Sequence, residues 1–446
     1  MISKIVVDNF TSFNHFEFDL IENKTDKKAK NLAIIYGENG IGKTCLVRSI
    51  ELLKKSAYSL ISVEGVTTLF GSMMNSGGND EAFSMFLGKE LNELRVSGYF
   101  KKYYKINATK EMKLLYEFIL NKKKYVYSLI FDKGLIVQEK LYCNGENVFS
   151  CHNTKLDLNP KFFIDEIIAN RCHDLHKMYF GDKHTFLSCL LYAENNVSQS
   201  FFKTSVSKNL QAFLRYIQSI IVVTKDDEEM MQNSSIPNFS FDFLNPIANG
   251  DYNDKLEKKK NMTEMALSMF FSSLYSNINS VEYQIETSDS GKRRYRLYFV
   301  ENKNNEIVQV PYELESTGTK KLATLFTVLY EMAKNKRTIV IDEIDNGIND
   351  ILLKSVFESL ESKMAGQLIV TTHNTLLLRY PIKKNIFLLD RDNDNAVISY
   401  SLDEFGRKIQ SGTDLVGQYL KGLYGGVPQS GAFSMEYIIE AINSHE

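Results

Sequence analysis

Residues 37–44 read Gly37-Glu38-Asn39-Gly40-Ile41-Gly42-Lys43-Thr44, set between an apolar run, Asn31 to Tyr36, and an apolar-periodic segment that starts at Thr44. The spacing Gly-x-x-x-x-Gly-Lys-Thr between a strand and a helix predicts a phosphate loop. Its glycines let the backbone curl so that successive N–H groups, those of Glu38, Asn39 and Ile41 included, face an anion, and the helix that follows adds the positive end of its dipole. In such a loop Lys43 pairs with the β and γ phosphates of a nucleoside triphosphate and the Thr44 hydroxyl holds Mg²⁺. The expected ligands are a nucleoside triphosphate and Mg²⁺.

A second block, Thr338-Ile339-Val340-Ile341-Asp342-Glu343-Ile344-Asp345, narrows the chemistry. Four apolar-type residues form a buried strand that ends in two carboxylates, at the end of an α/β sheet where ligands bind. Asp342 suits the Mg²⁺ side of the pocket, and Glu343, its neighbour, suits the base that takes a proton from an attacking water. Upstream, Ser316-Thr317-Gly318 opens a helical pattern with Leu322, Ala323, Phe326, Leu329 and Tyr330, which reads as a helix cap or an anion nest. Downstream, Gln367 to Thr371 forms a further short strand followed by Thr372, His373 and Asn374, which puts His373 at a strand end, suited to a γ-phosphate.

The order of these blocks resembles the ABC-type ATPase heads of the SMC, RecN and RecF group. The opening Ile5-Val6-Val7-Asp8-Asn9-Phe10-Thr11-Ser12-Phe13 is similar to the first strand and turn of those heads, and the alternation Phe16, Phe18, Leu20 to their second strand. The resemblance implies an α/β fold: an ABC-type P-loop NTPase head, a mixed sheet with helices plus an antiparallel strand subdomain, interrupted by a helical insertion lobe. It makes Ser316, Thr317 and Gly318 the signature, Asp345 a D-loop residue and His373 the switch histidine. The signature departs from Leu-Ser-Gly-Gly, since Glu315 replaces leucine and Thr317 separates serine from glycine, as OLD-like relatives tend to have it. It also implies a homodimer or higher homo-oligomer, because a signature of this kind meets the nucleotide of a partner head. Such heads use a glutamine on the metal side; Gln138 is the candidate beside Thr44 and Asp342, with an ordinary exposed strand glutamine as the alternative.

Between the motifs the chain divides, on pattern, into residues 1–150 (the N-terminal half of the head), 151–280 (the helical lobe) and 281–446 (the C-terminal half). Aromatic and polar residues alternate from Tyr99 to Phe149, with turns at Asp132-Lys133-Gly134 and Asn144-Gly145, which predicts antiparallel strands. Helical stretches follow at Asp165–Ala169, Thr185–Ala193, Lys208–Val223 and Tyr252–Ser276, and the polar segment Asp226–Asn249 reads as a long loop. No heptad pattern persists, which excludes a long coiled-coil arm. Strands resume at Tyr283–Thr287, Arg294–Val300 and Ile307–Val310.

The chain has 446 residues, 43% hydrophobic and 24% charged, with a net charge of −2, enough for a sizeable core and without the basicity of a dedicated nucleic-acid binder. Lysines at 101–102, 122–124 and 258–260 leave a nucleic-acid groove open as a reading, with solvated faces the simpler one. There is no apolar run of 18 residues and no signal-peptide pattern, so a cytoplasmic protein with no membrane partner is expected. Five cysteines without Cys-x-x-Cys spacing fit a reducing compartment. Cys151, His152, Cys172, His173, His176 and His184 lack a zinc frame and are expected on a polar helical surface, and Asp390 to Asp394 reads as a hairpin turn.

Only 73 residues follow His373, too few for the TOPRIM domain of OLD-type nucleases. This tail, with Gly422-Leu423-Tyr424-Gly425-Gly426-Val427-Pro428, and the segment Gly181 to Leu187 are similar to ATPase subunits of bacterial anti-phage and abortive-infection systems, such as AriA of PARIS and the AbiL ATPase. That resemblance implies an ATP-hydrolysing sensor or scaffold that answers a phage-derived trigger and controls a separate effector, a TOPRIM nuclease. The alternative is a RecF- or SMC-like ATPase of DNA repair or recombination. A transporter ATPase fits poorly, because the roughly 270 residues between phosphate loop and signature are foreign to transporter heads.

Overall fold

In the computed structural model the described residues are 1–446 except 24, 26, 75–87, 89–90, 92, 182, 225–241, 289–290, 361–362, 380–382, 406–413, 428–433 and 444–446. The first strands, β1 (Ile2–Phe10) and β2 (Phe13–Asp19), pair antiparallel through a tight turn, Phe10 opposite Phe13. Two short strands, β3 (Ile21–Asn23) and β4 (Lys28–Ala29), lead to β5 (Leu32–Tyr36), buried along its whole length, and then to the long helix α1 (Lys43–Met74). After a short helix α2 (Val96–Tyr103) come β6 (Met112–Leu120), β7 (Lys123–Asp132), β8 (Leu135–Cys143), β9 (Glu146–His152) and β10 (Lys155–Leu158). These meander strands close with β1 and β2 into a seven-stranded sheet of order β10-β9-β8-β7-β6-β1-β2. Strict alternation makes one face apolar: Met112, Leu114, Tyr116 and Phe118 point inward from β6. The expected strand run therefore begins at Met112; residues 96–103 are helical, and their aromatics pack inward from a helix instead.

Helices α3 (Glu166–Tyr179), α4 (Phe186–Asn195), α5 (Gln199–Ser205) and α6 (Lys208–Ser219) follow, each opened by a capping side chain, Asp165, Thr185, Ser198 and Ser207. Next come β11 (Ile221–Val223), β12 (Asn249–Asp251), α7 (Glu257–Leu274), β13 (Ile278–Thr287), β14 (Arg293–Lys303) and β15 (Glu306–Pro311). The expected helical lobe over 151–280 is not disposed as a body of its own. Its start belongs to β9 and β10, α3 to α6 share the core of the first sheet, β11 joins a sheet with β16, and β12 pairs with β14. The faces of α3 and α6 are amphipathic and α4 is buried on nearly every side, so these helices need the N-terminal sheet to cover their apolar residues. Most of the loop expected over 226–249 lies outside the described residues.

The last stretch contains α8 (Thr317–Asn335), β16 (Thr338–Ile341), α9 (Asp350–Leu360), β17 (Gln367–Thr371), β18 (Ile386–Arg391), β19 (Val397–Ser401), α10 (Leu415–Leu420) and α11 (Met435–Asn443). The central sheet has the order β11-β16-β17-β5-β18-β19, parallel except for the β18–β19 hairpin. Both its faces are covered, which is why its strands read as unbroken apolar runs. Ala33, Ile35, Val340 and Ile369 face the core shared with the antiparallel sheet and α1, while Leu32, Ile34, Ile339, Ile341, Leu368 and Val370 face a second core under α7, α8 and β13–β14. Buried Gln367 ties the sheets together, accepting from the Ile2 N–H at 2.8 Å and donating to the Ile2 and Lys30 carbonyls. The hairpin at 390–394 is as expected. This is an α/β architecture of mixed sheets and helices, with the motif loops at the carboxyl ends of β5, β16 and β17.

Candidate active site

The parallel register brings the separate motifs together. Because β17 lies between β5 and β16, the chain after Tyr36, the carboxylates after Ile341 and the turn after Thr371 all leave the same edge of the sheet. Asn39, Glu343, Asp345, Asn346 and His373 line one open cleft of about 270 Å³.

The phosphate loop is held from below by the opening strand pair. Gly42 has φ +118°, and a Cβ there would meet the Phe13 ring at 2.5 Å, so only glycine fits while Phe13 supports the loop. Phe13 in turn stacks on Phe16 at 4.5 Å. Lys43 is buried and turns its ammonium onto its own loop, donating to the Gly37 carbonyl at 2.7 Å and the Glu38 carbonyl at 3.0 Å. Burial pulls the Lys43 pKa down, opposed by Asp342, Glu343 and Asp345. A cation held by two carbonyls in front of a curled, amide-rich loop suits a polyphosphate. Thr44 is half-buried at the start of α1.

Across the cleft, one threonine positions both acidic residues. The Thr371 hydroxyl donates to Asp342 Oδ1 at 2.5 Å and accepts from the Glu343 N–H at 2.8 Å. Asp342 is almost fully buried, whereas Glu343 is half-buried with φ +47°, a left-handed conformation uncommon outside glycine. That twist separates the two side chains: Asp342 stays under the sheet edge and Glu343 enters the cleft. The hydroxyl of Thr44 and the carboxylate of Asp342 are the hard oxygen donors that Mg²⁺ takes, and the buried Lys43 beside them fits an anion-plus-cation site. Asp345 accepts the His373 N–H with both oxygens, at 3.2 and 3.1 Å, which fixes the histidine turn to the loop after β16. Burial, then Lys43, lowers the pKa of His373, opposed by Asp345, Glu343 and Asp342.

Ser316 is the N-cap of α8, its hydroxyl accepting from the Thr319 N–H at 3.1 Å. Ser316 and Thr317 are exposed, and Gly318 packs so closely on the 345–347 loop that a Cβ would lie 2.5 Å from the Gly347 carbonyl oxygen. These residues do not line the cleft of their own chain. Burial and the neighbouring Glu301 raise the pKa of Glu315, the residue before this cap.

Gln138 is not brought to this site. It lies on β8, and its neighbour Glu139 is fully buried, accepting the N–H groups of Phe186 (2.6 Å) and Leu187 (2.8 Å) at the start of α4. That helix start is bonded to α1 at Ser56, through the Thr185 hydroxyl at 3.0 Å, 12 residues past Thr44 and so roughly 18 Å along the helix. With Glu139 facing inward, Gln138 faces the opposite side of the sheet. The Cys/His group also differs from expectation: Cys151, Cys172, His176 and His184 are buried, not on a polar surface. His184 Nδ1 lies 2.9 Å from the Ser59 hydroxyl, and His176 stacks on Phe180 at 4.7 Å. Among the described residues no group of three or more His, Cys, Asp or Glu is arranged to hold a metal.

Thr371 and Glu139 carry no motif and were not singled out by sequence. Nor was Arg391, whose guanidinium at the end of β18 is 3.8 Å from Glu38 in the phosphate loop.

A family model described as "AAA domain, putative AbiEii toxin, Type IV TA system" matches residues 194–379, less than half of the chain. The chain is similar to an SMC head bound to the C-terminal winged-helix domain of ScpA, with 15% identity over 90% of this chain and 97% of that one and a TM-score of 0.47. It is also similar to the SMC head domain of Thermotoga maritima (12%, covering 90% and 98%, TM-score 0.40) and to a Pyrococcus furiosus SMC head with an extended coiled coil bound to the C-terminal domain of ScpA (13%, covering 90% and 96%, TM-score 0.41). No curated protein matches the chain. No helix among the described residues is long and apolar enough to cross a membrane.

Proposed function

We propose that the chain is an ABC-type ATPase that binds and hydrolyses ATP and serves as the sensor or scaffold subunit of a bacterial anti-phage system, controlling a separate effector. The carrying observation is the cleft in which Glu343, Asp345, His373 and Asn39 converge beside Lys43. Lys43 and the loop amides bind and orient the phosphates. Mg²⁺, when bound, neutralises phosphate charge, held by Thr44 and Asp342. Glu343 takes the proton of the attacking water, and His373, fixed through its backbone to Asp345, positions the γ-phosphate.

The exposure of Ser316 and Thr317, outside the cleft of their own chain, supports a homodimer in which each signature completes the other head's site. The matched family's description as a toxin of a type IV toxin–antitoxin system supports the defence reading, and the phage-derived trigger rests on the resemblance alone. A TOPRIM nuclease effector rests on the resemblance alone.

Lys43→Ala removes the phosphate-pairing charge and should abolish nucleotide binding; Glu343→Gln should keep binding and lose turnover. Turnover of Glu343→Gln close to wild type would sink the assignment of the base. Co-purification with the product of a neighbouring gene supports the two-component reading, whereas salt-sensitive, ATP-dependent duplex DNA binding by the chain alone moves it to the repair class.

A further inference from the structure

The catalytic motifs end at His373, yet the last described turn before residue 428 lies against both walls of the nucleotide site. Gly425 and Gly426 have φ of +70° and +67°. A Cβ on Gly426 would lie 3.4 Å from the Gly37 Cα and 3.3 Å from the Leu389 carbonyl oxygen, and one on Gly425 would run into the Asp390 carboxylate. The turn is therefore seated on the first residue of the phosphate loop, in a left-handed backbone conformation that favours glycine at both positions. It is held there by hydroxyls: Tyr419 donates to the Gly426 carbonyl at 3.1 Å and Tyr400 to the Tyr424 carbonyl at 2.6 Å.

A second path runs to the histidine. The buried Tyr419 ring packs edge-on against Tyr36, centroids 5.7 Å apart, and Tyr36 is the last residue of β5 before the loop. The fully buried Tyr36 hydroxyl donates at 2.7 Å to the carbonyl of Asn374, the residue after His373. A single tail residue thus touches, through one partner each, the start of the phosphate loop and the backbone that carries His373.

We propose that residues 415–427 form a clamp that sets the spacing between the phosphate loop and the His373 turn, with Tyr419 and Tyr36 as positioning residues for hydrolysis. The clamp rests on the ATPase reading above. Its parts act separately. Gly426 bears on Gly37 at φ +67°, so alanine there strains the turn, shifts it against the phosphate loop and weakens nucleotide binding. The Tyr419–Tyr36–Asn374 path bears on His373, so its loss lowers turnover and leaves binding near normal.

The test uses the full chain, with steady-state ATP hydrolysis for kcat and KM and a fluorescent ATP analogue for Kd. Tyr36→Phe and Tyr419→Ala should lower kcat on the order of 10-fold or more while Kd moves by no more than about 3-fold, the size expected when a catalytic group is misplaced by a fraction of an ångström. Tyr419→Phe keeps the ring on Tyr36 and should recover most of the kcat. Gly426→Ala should raise Kd with less effect on kcat, and Ile106→Ser, at an exposed position outside the clamp, should leave both unchanged. Wild-type kcat in Tyr36→Phe, or turnover and nucleotide-binding capacity falling together in every variant in proportion to loss of folded protein, overturns the clamp. If Tyr419→Ala does not fold, Tyr36→Phe and Tyr419→Phe decide alone. Wild-type protein that neither binds the analogue nor hydrolyses ATP instead overturns the ATPase reading.

Discussion

Replacing Thr371 by valine keeps the shape of the side chain and removes the hydroxyl that joins Asp342 to Glu343. Two hydrogen bonds are lost, the donation to Asp342 Oδ1 at 2.5 Å and the acceptance from the Glu343 N–H at 2.8 Å. A bond to a charged partner contributes about 1.5–3 kcal/mol and a neutral one about 0.5–1.5 kcal/mol, so Thr371→Val should cost on the order of 2–4 kcal/mol of stability. The larger effect falls on chemistry. Glu343 sits at φ +47°, a conformation that the surroundings must impose, and the lost bond is one of the constraints on it. With the carboxylate free to drift by about 1 Å, kcat should fall on the order of 100-fold, while ATP affinity, set across the cleft by Lys43 and the loop amides, changes little. Thr371→Ser retains both bonds and should stay within a few-fold of wild type. Urea unfolding measures the stability term, and single-turnover hydrolysis with nucleotide titration separates chemistry from binding. Folded Thr371→Val protein that hydrolyses ATP at the wild-type rate would falsify the role given to this hydroxyl.

Mixing Lys43→Ala with Ser316→Arg chains, each inactive alone, should restore turnover at one composite site per heterodimer; no recovery argues for a monomeric ATPase. Glu139 gives a pH prediction: burial raises its pKa from 4.5 to about 7, so its contribution to stability is fully present below about pH 4.5 and is lost as pH rises through about 7, on the order of 3 kcal/mol in all. Glu139→Gln should flatten the pH dependence of the unfolding free energy between pH 5 and 8, and an unchanged slope removes the assignment. Gly318→Val should block turnover by pushing the start of α8 off the Gly347 carbonyl, with ATP binding retained. The purified chain should show no nuclease activity; metal-dependent cleavage that survives Glu343→Gln and fails in Asp390→Ala/Asp392→Ala would mean that the 390–394 turn is a second metal centre.

Much of the site was legible because its parts are short and obey local rules. Glycines and a lysine at fixed offsets make a phosphate loop wherever a strand meets a helix, and an apolar run ending in Asp342 and Glu343 needs only the strand period to put carboxylates at a sheet edge. The alternation of β6 to β9 announced one buried face in the same way. What the sequence by itself determined is therefore the chemistry available and the α/β class.

The tertiary structure decided which of these groups meet. Gln138 carried the right side chain but lies on a strand whose inward residue, Glu139, is committed to the start of α4, so it faces the other side of the sheet. Cys151, Cys172, His176 and His184 read as polar surface because their segment is rich in charge, yet the helical phase that buries Ile168 and Leu175 buries Cys172 and His176 with them. Thr371 is an ordinary strand residue until β17 is inserted between β5 and β16, which sets its hydroxyl against Asp342. The tail reaches the phosphate loop only because β18 extends β5 and carries Leu389 and Asp390 to the seat of Gly425 and Gly426. Each of these contacts joins residues tens to hundreds of positions apart, and they form because burying both faces of the central sheet fixes the order of its strands; local preferences of the chain contain no record of that order.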